Sequence, residues 1–327
     1  MIYEGKSVIE LGERAALAQT VSHFKPVSST LVGSGDDSAV ISVSDSRFVV
    51  TTDSMVEGRD FRLEFSSGFD LGYKAAATNL ADVAAMGAQP ISLVVALLIK
   101  PDTKVSWLED FAKGLQAALD ELAPSAAIVG GDLAIANQIV VAVTAHGDLQ
   151  GKPPVLRTGA KPGDQLAVAG TLGKAAAGLQ LILHPDQTLA ASYPELVGTQ
   201  LRPTPPVALA LSASFASAMM DVSDSLALDA HRLAEASGVM IRINKKDLLG
   251  YVAVLEQAAQ SITARDGSVV DPLDWVLFGG EDHSFLASFP AGEVPKGFRV
   301  IGSIEAGRGV FLDELSLPAQ GWDSVSS

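Results

Sequence analysis

The chain has 327 residues, with 38 acidic against 23 basic side chains and no cysteine. Its net charge of −15 argues against a nucleic-acid or anionic-membrane surface. The missing thiols exclude disulfides, thiolate catalysis, zinc–thiolate sites and iron–sulfur clusters.

The length favours two domains, each with its own core. The longest apolar run, residues 93–99, is far too short to span a bilayer, and the start of the chain around Glu4 carries no export signal. A cytoplasmic protein with no membrane partner is expected. In chain order, residues 7–24 predict a first helix, with Ser7 as N-cap and Ile9, Ala16 and Leu17 on one side. Gly33-Ser34-Gly35 misses the third glycine of a dinucleotide fingerprint, because Ser38 stands there. The β-branched runs 39–43 and 48–50, around the polar Ser44-Asp45-Ser46, predict a β-hairpin. With the turn centred on Asp45, position 37 pairs with position 53. Asp36, Asp37, Thr51, Thr52 and Asp53 then share one sheet edge. Carboxylates so placed repel unless a cation lies among them, and oxygen-only ligands suit Mg²⁺ or Mn²⁺. The plainer reading is a surface hairpin with acidic ends.

Residues 54–69 read as a loop with an extended start. Asp70 then caps a helix over 71–86 that Gly87 ends. Lys74, Thr78 and Asp82 follow at helical spacing and form one polar stripe, with Asn79 beside it, on an otherwise alanine-rich helix. Buried polar groups need partners, so this stripe points to function. Residues 91–99 predict a strand buried on both faces. A helix follows over 104–122, with Trp107, Leu108, Phe111, Leu115 and Leu119 inward. The short strand 126–129 ends in Gly130-Gly131-Asp132, where two glycines let backbone approach a phosphate or metal. A strand at 138–145 leads into a Gly/Pro-rich segment, 147–154, read as the boundary between domains 1–148 and 149–327.

The second half opens with a basic turn, 157–164, and a strand, 165–169. Gly170-Thr171-Leu172-Gly173-Lys174 opens a helix but is too short for a Walker A loop and lacks its Ser or Thr. Residues 219–224 read as a strand end running into a helix that continues to Ser237 and stops at Gly238. Ser223 or Asp224 could serve as its N-cap, whereas Asp221 lies outside that explanation. Strands are expected at 239–244 and 275–278, the latter ending in Gly279-Gly280-Glu281-Asp282. The five histidines are scattered and match no zinc or serine hydrolase pattern; each is read as a surface or satisfied polar residue.

The candidates for chemistry are therefore Asp36, Asp37, Asp53, Asp82, Asp132, Asp221 and Asp224, with Thr51, Thr52 and Ser223 as neutral oxygens. No nucleophile stands out. Many hard-ion ligands without a covalent catalyst fit phosphoryl transfer by positioning and metal neutralisation. An acceptor that is itself a phosphate would need no general base.

In their order along the chain, Gly35-Asp36-Asp37, Thr51-Thr52-Asp53, Asp70 through Lys74 to Asn79-Leu80-Ala81-Asp82 and Gly87-Ala88, Gly130-Gly131-Asp132, Arg157-Thr158-Gly159, Asp221-Val222-Ser223-Asp224 and Gly279-Gly280-Glu281-Asp282 resemble the thiamine-monophosphate kinase family. That family belongs to the aminoimidazole ribonucleotide synthetase-like superfamily. The resemblance implies a two-domain α/β (α+β) fold, with an N-terminal sheet and helices used for homodimerisation and a C-terminal α/β domain. It implies ATP-dependent phosphorylation of thiamine monophosphate by direct in-line transfer, with several Mg²⁺ ions. By position it implies metal roles for Asp37, Thr51, Thr52, Asp53, Asp82, Asp132, Asp221 and Asp224, with Asp36 beside them. Gly131, Asp132, Arg157 and Ser223 would contact ATP, and Glu281 and Trp322 the thiamine end. Three departures fall mostly on the acceptor side. Asp60 stands where the family has a substrate-contacting His, Ser225 replaces a Gly, and Trp322-Asp323-Ser324 lacks the usual His-Phe. The competing readings are an aminoimidazole ribonucleotide synthetase-type ligase and a catalytically silent relative.

Overall fold

A computed structural model describes residues 6–32 and 40–322. Asp36, Asp37 and the end from Asp323 lie outside the described residues. The chain forms two units, Met1–Ala84 with Ala88–Lys152, and Ala85–Gly87 with Pro153–Ser327.

The first unit contains α1 (Val8–Leu11), α2 (Glu13–Val21), β1 (Thr30–Val32), β2 (Val40–Ile41), β3 (Phe48–Val56), α3 (Gly68–Ala85), β4 (Gln89–Ile99), α4 (Val105–Leu122), β5 (Ala127–Ile135) and β6 (Val140–Asp148). The helix expected over 7–24 is two helices. Ser7 caps the first with a full capping box to Glu10, and Gly12 at φ 84° breaks the path between them. The expected hairpin does not form. β2 pairs with β1, and β3 pairs antiparallel with β6, Asp53 lying opposite Val143. A nine-residue strand gains more ladder bonds from an equally long partner than from the two residues of β2.

The four-stranded sheet runs β3-β6-β4-β5. β4 lies inside it, parallel to β5 and antiparallel to β6, as its apolar run predicts. Helix α3 begins at Gly68, and its cap is Ser67 rather than Asp70. The Ser67 hydroxyl accepts from the Asp70 N–H, and the Asp70 carboxylate accepts from the Ser67 N–H, a reciprocal box that places Asp70 three residues inside. α3 and α4 meet backbone to backbone. A Cβ at Gly72 would lie 2.0 Å from the Phe111 carbonyl oxygen, and one at Gly114 2.0 Å from that of Phe69. That close approach accounts for glycines inside two long helices, where glycine is otherwise unfavourable.

The second unit contains β7 (Gln165–Ala169), α5 (Lys174–Leu183), α6 (Thr188–Ser192), α7 (Pro194–Leu201), α8 (Val207–Ser212), β8 (Ala218–Val222), α9 (Leu226–Ser237), β9 (Met240–Ile243), α10 (Lys245–Ala253), α11 (Glu256–Asp266), α12 (Pro272–Phe278), β10 (Ser284–Phe289), β11 (Arg299–Glu305), β12 (Gly309–Leu312) and β13 (Leu315–Ser316). Its sheet order is β13-β12-β9-β11-β7-β10-β8, antiparallel except for the β12–β9 pair. Leu166, Val168, Leu226, Leu233, Ile241 and Leu286 share one apolar core under the helices. The mixed α/β class expected from the sequence is observed. One element differs in type: 275–278 ends helix α12 instead of forming a strand. Asp271 caps that helix through the Leu273 N–H and Pro272 opens it, start signals that outweigh a short apolar run. Among the described residues no helix is long and apolar enough to cross a membrane.

Candidate functional site

In the first unit Asp82, in the polar stripe of α3, meets β3. The Thr51 hydroxyl donates to the Asp82 carboxylate at 2.9 Å, so two of the predicted oxygens meet. Strand alternation puts Asp53 on the same sheet face as Thr51 and Thr52 on the other. Thr52 donates to the Val143 carbonyl and accepts from Thr144. Asp53 is exposed, and one of its oxygens accepts from the Ser54 N–H. Lys74, Thr78 and Asn79 are buried. Asn79 donates to the Ala75 carbonyl, while its own side-chain oxygen is buried with no hydrogen-bond partner.

Asp132 lies elsewhere. The strand expected to end at Gly130-Gly131-Asp132 continues through it, because β5 runs to Ile135. Gly131 is required by close packing within the sheet: a Cβ there would sit 2.2 Å from the Val95 carbonyl oxygen of β4. Gly130 follows a register shift opposite Leu93 and Val94 and has open space around it. Gly131, Val95, Val143 and Asp53 form one transverse row. Asp53 and Asp132 therefore stand near opposite edges, about 14 Å apart over three strand spacings. Asp60 follows β3 in a turn, where its carboxylate accepts from the Val56 N–H at 2.7 Å.

In the second unit Asp221 is 4% exposed on edge strand β8. His283 Nδ1 lies 3.4 Å from its carboxylate. The α9 cap is neither Ser223 nor Asp224 but Ser225, whose hydroxyl accepts from the Leu228 N–H. This frees Ser223 and Asp224 from a capping role. Arg232 donates to Asp224 at 2.5 Å and to Asp229 at 2.6 Å. Asp229 also accepts from the N–H groups of Asp224 and Ser225. Burial, then the neighbouring Asp221 charge, pushes the Asp229 carboxyl up to about 6 against the pull of Arg232.

Backbone bonds gather further candidates here. The Glu281 N–H donates to the Ser223 carbonyl at 2.7 Å, and the Trp322 N–H to that of Asp224 at 3.3 Å. Glu281 and His283 adopt φ of 68° and 48°, a left-handed conformation that costs non-glycine residues energy and concentrates at functional sites. Arg157 is exposed. It follows Leu156, whose carbonyl accepts from Met219 on β8. The Gly170–Lys174 turn holds no open phosphate cradle. Buried Asp282 fills it, accepting from Thr171 at 2.6 Å and from the Gly173 N–H at 2.7 Å. Burial raises the Asp282 carboxyl, and these two donors only partly offset it.

The structure thus joins Thr51 with Asp82, and Ser223, Asp224, Glu281 and Trp322 with each other. It separates Asp132 from Asp53. Sequence reading missed Asp229, Arg232 and His283. The helical i, i+3 spacing of Asp229 and Arg232 was available, but it is also the spacing of ordinary surface pairs. Nothing local marks His283 as a neighbour of Asp221, since strand pairing 62 residues apart brings them together. The donors are hydroxyls and carboxylates, the chemistry of a hard cation, and the charge that raises Asp229 is what such an ion would neutralise. The residues therefore fit Mg²⁺ by donor type. Among the described residues, no three His, Asp or Glu side chains converge on one metal position.

Residues 35–149 match the family described as AIR synthase related protein, N-terminal domain. The chain is 41% identical over 303 residues to the thiamine-monophosphate kinase of Mycobacterium tuberculosis H37Rv, covering 92% of this chain and 87% of that protein. The crystal structure of thiamine-monophosphate kinase from Stenotrophomonas maltophilia K279a superimposes with TM-score 0.75 at 32% identity, covering 92% and 95% of the two chains. AaThiL complexed with AMPPCP and TMP superimposes with TM-score 0.74 at 28% identity over 98% and 99%. With this fold, these acidic strand ends and identity of this extent along almost the whole chain, the protein belongs to the thiamine-monophosphate kinase family.

Proposed function

We propose that the protein transfers the γ-phosphoryl group of ATP to thiamine monophosphate, forming thiamine diphosphate and ADP by direct in-line attack of the acceptor phosphate. The observation that carries this reading is the 41% identity to a thiamine-monophosphate kinase over 92% of the chain. The complex of AaThiL with AMPPCP and TMP supports an ATP-like donor and the acceptor together. In this reading Asp36, Asp37, Thr51, Thr52, Asp53, Asp82, Asp132, Asp221 and Asp224 hold Mg²⁺. When bound, such ions supply the positive charge that lets two phosphate groups approach. Gly131, Asp132, Arg157 and Ser223 bind ATP, the exposed Arg157 guanidinium offering a fork suited to phosphate oxygens. Arg232 and the Asp229 carboxylate hold Asp224 in place. Glu281, Trp322 and Asp60 take the acceptor, Asp60 keeping one carboxylate oxygen beyond the one bound to Val56 for a cationic thiazolium.

The same reading assigns residues 1–148 to ATP, Mg²⁺ and dimerisation and 149–327 to the C-terminal domain, in a cytoplasmic homodimer. Both edges of the first sheet support pairing with a second copy. Among the described residues β3 pairs only with β6 and β5 only with β4, and β3 exposes Phe48 at 55% and Val50 at 57%. Long open edges of this kind are normally covered. The test is an assay of thiamine diphosphate from thiamine monophosphate and Mg-ATP. Product is expected. ATP binding without product at millimolar Mg²⁺ would overturn the kinase reading in favour of a silent relative.

A further inference from the structure

One buried amide side chain stands beside Glu281 without being a candidate ligand itself. Gln200, on α7, is 6% exposed. Its Nε2 donates to the Glu281 carboxylate, and its Oε1 is buried with no hydrogen-bond partner. A carboxylate only accepts, so the amide must turn its nitrogen to Glu281; the opposite orientation would set oxygen against oxygen. The orphan Oε1 is a destabilising feature that a leucine or methionine would avoid. An apolar side chain would remove that cost, but it would also remove the donor to Glu281.

Gln200 is also fixed from below. α7 packs on α5 so closely that a Cβ at Gly178 would lie 2.1 Å from the Leu196 carbonyl oxygen and 3.1 Å from the Gln200 Cβ. Glu281 is held by its backbone N–H on Ser223 at 2.7 Å, in a left-handed conformation at φ 68°, and by its side chain on Gln200. A long carboxylate at such a site has several rotamers, and a rigid donor selects one of them.

We propose that Gln200 is a positioning residue for acceptor recognition, whose amide fixes the Glu281 carboxylate in the orientation that meets the thiamine end of the substrate. This rests on the reading of Glu281 given under Proposed function.

The test compares Gln200→Leu, Glu281→Ala and the double variant in the full-length protein, with KM for thiamine monophosphate and for ATP measured separately. Gln200→Leu is expected to raise KM for thiamine monophosphate about tenfold, leave KM for ATP within about twofold, and change the melting temperature little, because loss of the orphan oxygen offsets loss of the bond to Glu281. In the Glu281→Ala background the same change is expected to add less than about twofold, since its effect passes through Glu281. An unmoved KM for thiamine monophosphate in Gln200→Leu, or an equal loss with and without Glu281, overturns the proposal while leaving the kinase reading intact. A lowered melting temperature with both KM values raised together assigns Gln200 a purely structural role and overturns it as well. Wild-type protein that forms no thiamine diphosphate defeats the kinase reading and this proposal with it.

Discussion

The two units treat their carboxylates in opposite ways. In the first, Asp53 and Asp132 are exposed and stand near opposite edges of one four-stranded sheet, and Asp82 has a threonine hydroxyl for a partner. In the second, Asp221 is buried beside His283, and Asp224 is tied to Arg232 and, through its N–H, to Asp229. The carboxylates of Asp53 and Asp132 thus stand at the surface of their sheet, where a bound cation would meet them directly. The second set is held by protein donors before any ligand arrives. A charge removed from the first should therefore affect activity more than stability, and a bond removed from the second should affect both.

The largest expected effect is in the first set. Asp53→Asn should lower turnover by about 100-fold or more, the scale of losing one strong electrostatic contact in phosphoryl transfer, with the melting temperature unchanged. Unchanged turnover would remove Asp53 from the metal set. In the second set, Arg232→Met leaves Asp224 and Asp229 as neighbouring charges without their shared cation. Breaking a fully buried pair costs about 3–5 kcal/mol, and since the Arg232 side chain is 39% exposed a loss of about 2 kcal/mol is expected in urea unfolding. A loss below about 0.5 kcal/mol would show that the second set is no more rigid than the first.

A third experiment separates packing from ligand contact within the first unit. Gly131→Ala places a Cβ 2.2 Å from the Val95 carbonyl oxygen and should destabilise by about 1–3 kcal/mol, read by chemical denaturation without any nucleotide. Gly130→Ala meets open space and should stay within about 0.5 kcal/mol. Equal effects would mean that β5 is free to shift.

The smallest effect concerns pH. Burial holds His146 below its ordinary value of 6.5. Burial by itself would raise Asp148, but hydrogen bonds from Ser44 and the Gln150 N–H overcome it and hold that carboxyl below its ordinary 3.8. Both folded values are depressed, so the unfolded chain takes up these protons first. The His146 contribution is complete above pH 6.5 and declines as pH falls through its folded value; that of Asp148 declines only below 3.8. Hydrogen-exchange protection of β3 and β6 should fall modestly between pH 7 and pH 5, and His146→Phe should flatten that fall.

How much was readable depends on the range of the interaction. Ser7 as a cap, Gly238 as a helix stop and the polar stripe facing inward from α3 all follow from residues a few positions apart, where spacing and side-chain type carry the information. The hairpin failed because two apolar runs around a polar turn specify strands but not partners, and β3 found a nine-residue match in β6. The strand expected at 275–278 failed for a related reason: four apolar residues fit either element, and the cap at Asp271 decided it. Gly131 carries a constraint that no local pattern shows, the close approach of the β4 backbone.

What the sequence by itself determined is the chemistry available: oxygen donors, no thiols, and an ordered set of acidic motifs that identifies the family without a single contact being known. What only the tertiary structure decided is which of these groups share a neighbourhood. Thr51 meets Asp82, His283 meets Asp221, and Gln200 meets Glu281, across 31, 62 and 81 residues of chain. Residue type and local spacing encode propensity, whereas contacts at such separations arise from sheet register and helix packing, which are settled by burying the whole core at once.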